Sequence, residues 1–277
     1  MWLWHNGELR GSEEVSVPVY DHGFLYGMGL FETFRTFNGK PFLFDAHWER
    51  LTHSLEALWI DLPYRKQDIE QAIQAVVEQN AAPNLYIRLN VSAGVAPLGL
   101  HDERYERPNV TLLVKPLAEA FTPVEKRLEA LPLPRSRPEA AFRLKSHHYM
   151  NNILGKRALM DREAEGLFAD ELGHVVEGLV SNVFWTERDG RLFTTPLSSG
   201  ALAGVTRQWV METFDVSEQD VTFQELAEAE EIWLTNSVQQ IAPVTEFYGR
   251  HFPGKEGTRF MEAWRHVMKT IEKESAR

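Results

Sequence analysis

The stretch "AFRLKSHHYMNN", residues 141–152, places Lys145 directly before two adjacent histidines. A lysine amine attacks aldehydes when its pKa is lowered, and Arg143 gives a positive setting that lowers it once the amine is desolvated. A solvated turn, a basic patch and a metal site are the alternatives. Because neighbouring residues point in different directions, His147 and His148 are poorly placed to share an ion, and we predict no metal.

A glycine-rich loop leads into a predicted helix at "SSGALAGVTRQWVMETF", residues 198–214. The first N–H groups of a helix and its dipole bind anions, so the amides of Val205 and Thr206, with the Thr206 hydroxyl, form a candidate phosphate site. Gly204 would permit close approach of the backbone. The Gly-Lys-Ser/Thr ending of a P-loop is missing, which disfavours ATP hydrolysis. The alternative is a loop that only caps its helix.

The combination of these features is more informative than either alone. A candidate amine nucleophile, a downstream phosphate site and a carboxylate between them, Glu177, are the groups that bind pyridoxal phosphate. The sequence contains no cysteine and no Gly-x-Ser-x-Gly motif, so thiolate and serine-hydrolase chemistry are not indicated. Judged by its position alone, Lys145 is better interpreted as a surface lysine.

Composition limits the partners of the chain. Its 277 residues carry a formal charge of -11, with acidic residues spread along the chain, which argues against a nucleic-acid partner. No signal-like start and no run of about 18 apolar residues are present, so we expect no membrane segment and a cytoplasmic location.

The order of elements predicts two domains, 1–120 and 121–277, with a proline-containing linker near Phe121. Asn6-Gly7 and Asn38-Gly39 predict hairpin turns in the first domain. A helix is predicted over 45–59 with Asp45 as its N-cap, followed by a second helix over 66–80.

The strand "LYIRLNVSAG" is predicted to bury Ile87, Leu89 and Val91 on one face and to place Arg88 on the other. In the second domain we predict a helix over 151–165 and another after Gly204.

Five motifs occur in the order and at the separations typical of the class IV, or fold type IV, pyridoxal-phosphate enzymes, which this chain resembles over nearly its whole length. They are "DHGFLYGMGLFETFRTFNGKPFLFDAHWERL", "FRLKSHHYMNN", "VVEGLVSNVFW", "GALAGVTR" and "LTNSVQQIAPV". The resemblance implies an α+β (mixed α/β) fold, with an N-terminal α/β sandwich and a C-terminal pseudo-barrel flanked by helices. It also implies a homodimer.

The resemblance assigns roles residue by residue. Lys145 would bond covalently to pyridoxal 5'-phosphate and later act as the proton-transfer base. Glu177 would face the pyridine nitrogen, and Tyr149 would donate to the phenolic oxygen. The phosphate would be held by Arg50, Val205, Thr206 and Ser237. The substrate pocket would include Phe31, Arg88, Val238 and Gln239.

Within the class, the motifs are most similar to aminodeoxychorismate lyases, which implies release of pyruvate from 4-amino-4-deoxychorismate to give 4-aminobenzoate for folate biosynthesis. D-amino-acid aminotransferases carry an Arg-x-His pair in the loop that here reads "GVAPLGLHDER". Branched-chain enzymes typically have proline at the position of Leu89, and both groups favour tyrosine at Phe31. Transamination of branched-chain or D-amino acids remains the alternative activity, and a vestigial scaffold or partner-binding module is the non-enzymatic one.

Overall fold

The structure, a computed structural model, describes residues 1–119 and 121–276, without the side chains of residues 275 and 276. The chain forms two compact units. The first contains Met1–Ala120, Leu144–His148 and Lys273–Arg277, and the second contains Phe121–Arg143 and Tyr149–Glu272. The units are therefore discontinuous in sequence, since the segment that carries Lys145 groups with the N-terminal residues.

The first unit is built on an antiparallel six-stranded sheet with the order β2-β1-β6-β5-β3-β4. Its strands are β1 (Trp2–His5), β2 (Glu8–Gly11), β3 (Gly29–Phe37), β4 (Lys40–Pro41), β5 (Leu85–Ser92) and β6 (Asn109–Pro116), and its helices are α1 (His22–Tyr26), α2 (Phe44–Ala57) and α3 (Lys66–Gln79). Apolar residues of α2 and α3 share one core with those of β3 and β5, which makes an α/β sandwich.

Both hairpin predictions are confirmed. Asn6 and Gly7 have φ values of 47° and 100°, and Asn38 and Gly39 have 50° and 84°, the paired positive values that a two-residue hairpin turn requires. The β5 alternation is also confirmed, because Ile87, Leu89 and Val91 are at most 1% exposed while Arg88 is half-buried.

The two predicted helices of this unit are present, but the N-cap prediction is wrong. Helix α2 begins at Phe44 with Leu43 as its N-cap, and Asp45 lies in the first turn. Leu43 has a φ of 53°, and the chain enters the helix two residues earlier than a side-chain cap at Asp45 would allow. The Asp45 carboxylate instead pairs with Lys66, the first residue of α3.

The second unit contains a mixed nine-stranded sheet with the order β12-β11-β10-β13-β14-β7-β8-β9, and β15 pairs with β14 outside this path. The strands are β7 (Lys126–Ala130), β8 (Glu165–Ala169), β9 (Val175–Gly178), β10 (Asn182–Thr186), β11 (Leu192–Thr194), β12 (Val216–Glu218), β13 (Glu231–Asn236), β14 (Gln240–Phe247) and β15 (Arg250–His251). The helices are α4 (Met150–Ala158), α5 (Val205–Thr213), α6 (Phe223–Leu226) and α7 (Thr258–Ala276).

Helix α5 follows Gly204 as predicted, whereas the helix predicted over 151–165 ends at Ala158. Glu165 instead begins β8, which pairs in parallel with β7 from Leu128 onward. Because Glu165 pairs with this distant strand, it cannot belong to the predicted helix. Within 1–119 and 121–276, no helix is both long and apolar enough to cross a membrane.

Candidate active site

The first unit positions Lys145 through backbone hydrogen bonds to β3. The Phe31 amide donates to the Lys145 carbonyl at 2.9 Å, and the His147 amide donates to the Gly29 carbonyl at 2.9 Å. The segment 145–147 therefore runs beside the start of β3 as a short antiparallel partner. This pairing fixes the lysine backbone on a buried strand.

Two cationic side chains contact the ring of Phe31. The Lys145 Nζ lies 4.4 Å from the ring centroid, and the guanidinium carbon of Arg88 lies 3.5 Å from it. Both distances are within the range of cation–π contacts. Lys145, which was predicted as the amine nucleophile, and Phe31 and Arg88, which were predicted in the substrate pocket, thus lie together in this unit.

A buried carboxylate, Glu32 of β3, holds Arg50 in a fork-shaped ion pair. Arg50 Nε donates to Glu32 Oε1 at 2.8 Å, and Arg50 Nη2 donates to Oε2 at 2.5 Å. The same Oε2 accepts from His47 Nδ1 at 2.7 Å. Because Glu32 is 2% exposed and both its oxygens are used, the guanidinium of Arg50 is fixed by two bonds to one carboxylate.

The charges of this cluster follow from its packing. Burial raises the pKa of Glu32, but the opposing effects of Arg50 and His47 are larger together and lower it to about 2. Burial lowers the pKa of His47, and the positive charge of Lys145 also lowers it. Glu32 is therefore ionised at neutral pH and the His47 imidazole is neutral, with its proton on Nδ1.

In the second unit, Glu177 is a buried carboxylate of β9. Its Oε1 accepts from Arg135 Nε at 2.8 Å, and its Oε2 accepts from the Leu202 amide at 2.9 Å. Arg143 Nε lies 3.7 Å from the same Oε1, and burial lowers the pKa of the Arg143 guanidinium. Since Glu177 is 4% exposed, these partners keep a charge in the interior that would otherwise be costly.

The N-terminus of α5 lies on a buried polar framework. Gly204 is its N-cap and, having no side chain, makes no side-chain cap hydrogen bond. A Cβ at Gly204 would lie 2.1 Å from Asn182 Oδ1, so the glycine is required by a protein neighbour. The Thr206 hydroxyl donates to Gln240 Oε1 at 3.4 Å, and Gln240 Nε2 donates to the Ser237 carbonyl at 3.1 Å. Gln240 therefore links two of the predicted phosphate residues.

The turn between β13 and β14 uses the amides that were predicted to bind a substrate carboxylate. The amides of Val238 and Gln239 donate to Asn236 Oδ1 at 3.0 and 2.9 Å.

Tyr149 is half-buried and is the N-cap residue of α4. The roles assigned to these residues remain predictions.

Six polar residues of these groups were not identified from the sequence: Glu32, His47, Arg135, Asn182, Asn236 and Gln240. One signal was available, since Glu32 is the single acidic residue in the segment "LFETF", whose other residues are apolar except for Thr33. A buried carboxylate in such a strand requires a cationic partner.

Comparison with known proteins identifies the family. The chain belongs to the amino-transferase class IV family, whose sequence profile matches residues 29–247. Aminodeoxychorismate lyase of Bacillus subtilis (strain 168) is 38% identical over 264 residues, which cover 92% of this chain and 89% of that protein. A putative branched-chain-amino-acid aminotransferase of Methanocaldococcus jannaschii is 31% identical, covering 92% of this chain and 91% of that protein.

A solved structure supports the same assignment. A branched-chain amino acid aminotransferase of T.th., complexed with N-(5'-phosphopyridoxyl)-L-glutamate, superposes with a TM-score of 0.87 at 25% identity. The match covers 99% of this chain and 94% of that one. The predicted fold class is confirmed, and the protein is an enzyme of this family.

Proposed function

We propose that this protein is an aminodeoxychorismate lyase that converts 4-amino-4-deoxychorismate to 4-aminobenzoate and pyruvate, a step in folate biosynthesis. The observation that carries the proposal is the pair of cations on Phe31, which places Arg88 beside the candidate amine, Lys145. A substrate with one amine and two carboxylates needs these two groups close together. The 38% identity to a protein named aminodeoxychorismate lyase supports this choice within the family.

The cofactor is pyridoxal 5'-phosphate, and the described residues fit it. In the second unit, the N-terminus of α5 offers the amides of Val205 and Thr206 to a phosphate, and Gln240 links Thr206 to Ser237. In the first unit, Arg50 is proposed as a further phosphate ligand, and its orientation is fixed by Glu32. The remaining cofactor roles are proposed as follows: Lys145 for the covalent bond, Glu177 for the ring nitrogen and Tyr149 for the phenolic oxygen.

When bound, pyridoxal phosphate supplies an electron sink for the carbon that carries the substrate amine. Lys145 takes the proton from that carbon onto Nζ, and the C–O bond to the enolpyruvyl group on the adjacent carbon breaks. The leaving group departs as the enolate of pyruvate and takes up one proton to become pyruvate, which balances the proton removed by Lys145, and the ring becomes aromatic. No second amino acceptor is consumed, which separates this reaction from transamination.

Arg88 is proposed to bind a substrate carboxylate, because a guanidinium binds carboxylates in a fork and has lower hydration than an ammonium. Phe31 supplies an apolar face on which this guanidinium rests. The amides of Val238 and Gln239 are proposed as a second carboxylate site, which would compete with Asn236 Oδ1 for their protons.

The first test asks whether the enzyme is a lyase. The purified protein is incubated with pyridoxal phosphate, and then chorismate, glutamine and an aminodeoxychorismate synthase are supplied. We expect an absorbance band near the visible edge and fluorescence of 4-aminobenzoate. Keto-acid-dependent amino transfer without 4-aminobenzoate would replace this proposal by the aminotransferase alternative, which the 31% identity to the Methanocaldococcus protein supports.

Lys145→Ala tests the assignment of the nucleophile. We expect turnover to fall by at least about a thousandfold, because the variant lacks both the bonding amine and the base. Lys156→Ala, an exposed lysine of α4, is the control and should retain turnover. A Lys145→Ala enzyme that keeps most of its activity would mean that the nucleophile is misassigned.

We also propose that the protein is a homodimer. Large apolar side chains are exposed on the first unit at two segments that touch, Val19 and Phe24 on one and Leu98 and Leu100 on the other. The segments are joined where the Gly99 amide donates to the hydroxyl of Tyr26. Exposed apolar patches of this kind mark protein interfaces. Light scattering after size exclusion should give twice the chain mass, and Leu100→Asp should lower it.

A further inference from the structure

His147 occupies a tight site in the first unit. A Cβ on Gly29 would lie 2.3 Å from His147 Cε1, so only glycine leaves room for this ring. The backbone of His147 is fixed as well, since its amide donates to the carbonyl of Gly29. The ring therefore has a defined position relative to β3.

The His147 ring bonds to Asn90 of β5. Nε2 lies 3.0 Å from Asn90 Oδ1. The same Oδ1 accepts from Nε and Nη2 of Arg88, each at 3.3 Å. Because Oδ1 only accepts, His147 carries a proton on Nε2 and donates it to Asn90. Burial lowers the pKa of His147 to about 4, so the ring is neutral at pH 7.

The geometry of the two strands explains why these side chains meet. Arg88 and Asn90 are two residues apart on β5 and share a face of the sheet. Phe31 of β3 lies directly opposite Asn90 in the strand register. The Arg88 guanidinium is thus held on one side by an amide oxygen and on its face by the Phe31 ring.

We infer that Asn90 and His147 are positioning residues for substrate recognition: His147 fixes the Asn90 amide, and Asn90 fixes the guanidinium of Arg88 for a substrate carboxylate. This inference rests on the proposed function, which makes Arg88 a carboxylate-binding residue. It also gives a task to the first of the two histidines that follow Lys145.

The chain of contacts predicts graded effects. Asn90→Ala releases Arg88 and should raise KM roughly tenfold, because two charge-assisted hydrogen bonds to the Asn90 oxygen orient the guanidinium. Asn90→Asp should raise KM more, since a carboxylate at this position forms an ion pair with Arg88 and competes with the substrate. In both variants kcat should change less than about threefold, because Lys145 is untouched.

Variants at His147 test whether its ring acts as a hydrogen-bond donor or only fills space. His147→Phe keeps an aromatic ring and loses the N–H, so it should raise KM several-fold. His147→Gln can place an amide N–H near the position of Nε2 and should restore KM towards the wild-type value. His148→Phe is the matched control, since His148 Nε2 faces the carbonyl of Tyr26 instead, and it should leave KM unchanged.

The experiment measures KM and kcat for 4-aminobenzoate formation by the holoenzyme, and the Kd of chorismate by titration calorimetry. Chorismate carries two carboxylates and no amine, so its binding reports Arg88 without turnover. Thermal melting identifies any variant that fails to fold. KM and Kd values of Asn90→Ala and His147→Phe equal to wild type would overturn the inference, as would an equal effect of His148→Phe.

Failure of the proposed function gives a different result. If the wild-type enzyme makes no 4-aminobenzoate but transfers amino groups, the same variants are compared through KM for the amino acid it uses. A rise for Asn90→Ala and His147→Phe would support the positioning roles with another substrate. Unchanged values would overturn them.

Discussion

Glu32 and Glu177 are two buried carboxylates that are each paired with arginine, one in each unit. Glu32 is 2% exposed and uses both oxygens on Arg50 and His47. Glu177 accepts one bond from Arg135 and one from the Leu202 amide. The first carboxylate is proposed to act through the arginine that it holds, and the second directly on the cofactor ring. On this proposal, similar burial serves two different tasks.

Removing the charge of Glu177 should have the largest effect. Glu177→Gln can still accept from the Leu202 amide but no longer keeps the ring nitrogen protonated, so we expect turnover to fall by ~10²–10³-fold. Cofactor absorbance should persist. Steady-state production of 4-aminobenzoate measures the loss.

The matched control is Glu165→Gln in the same unit. Glu165 is half-buried, burial of its carboxyl raises its pKa, and its Oε1 accepts from the Val180 amide and the Ser181 hydroxyl. A glutamine oxygen can keep both bonds, so turnover should be retained. Equal losses in the two variants would show that burial alone, and no ring contact, explains the effect.

Glu32→Gln should weaken cofactor binding more than it lowers turnover at saturating cofactor. Without the carboxylate, Arg50 is no longer fixed, and we expect the Kd of pyridoxal phosphate to rise about tenfold. Breaking a buried pair should also lower the free energy of unfolding by about 3–5 kcal/mol. Fluorescence titration and urea denaturation measure these two effects. Glu49→Gln is the control, since Glu49 is an exposed residue of α2, the helix that carries Arg50. This change should alter neither the Kd nor the free energy of unfolding.

The dependence of stability on pH distinguishes the contribution of Glu32 from that of His147. The folded pKa of His147 is about 4, below its ordinary value of 6.5, because of burial first and then the charge of Arg88, although Asp21 opposes both. The unfolded chain binds this proton first, so stability falls as pH falls from about 6.5 to about 4. Glu32, lowered from 4.5 to about 2, contributes stability above pH 4.5 that is lost as pH falls towards about 2.

Denaturation at a series of pH values should therefore show that the free energy of unfolding falls in two steps as the pH is lowered. His147→Gln should reduce the loss between about pH 6.5 and 4, and Glu32→Gln should reduce the loss below 4.5. An unchanged loss of stability between about pH 6.5 and 4 in His147→Gln would assign that loss to His47 or His5, whose pKa values are also lowered by burial.

The features that the sequence predicted well are local. The Asn6-Gly7 and Asn38-Gly39 turns and the β5 alternation depend on residues that are adjacent or two apart, so their pattern is visible in the chain itself. The fold class followed from ordered motifs, which carry more information than any single residue.

The features that were missed depend on contacts between distant residues. Glu32 meets Arg50 from 18 positions away, and Thr206 meets Gln240 from 34 positions away. The end of α4 was predicted at residue 165, but Glu165 begins β8, which pairs with β7 from before that helix. No local pattern specifies such pairings, although the lone acid in "LFETF" was a signal that a partner must exist.

The smallest effect should come from a third carboxylate, Asp45, which forms an exposed pair. Its side chain is 87% exposed and pairs with Lys66, which is 37% exposed. Water screens such a pair, so Asp45→Asn should change the free energy of unfolding by less than about 1 kcal/mol and leave turnover unchanged. Urea denaturation measures this. A larger loss would mean that the exposed Asp45–Lys66 pair is a substantial stabilising contact, and that burial is not what distinguishes the two site carboxylates from this one.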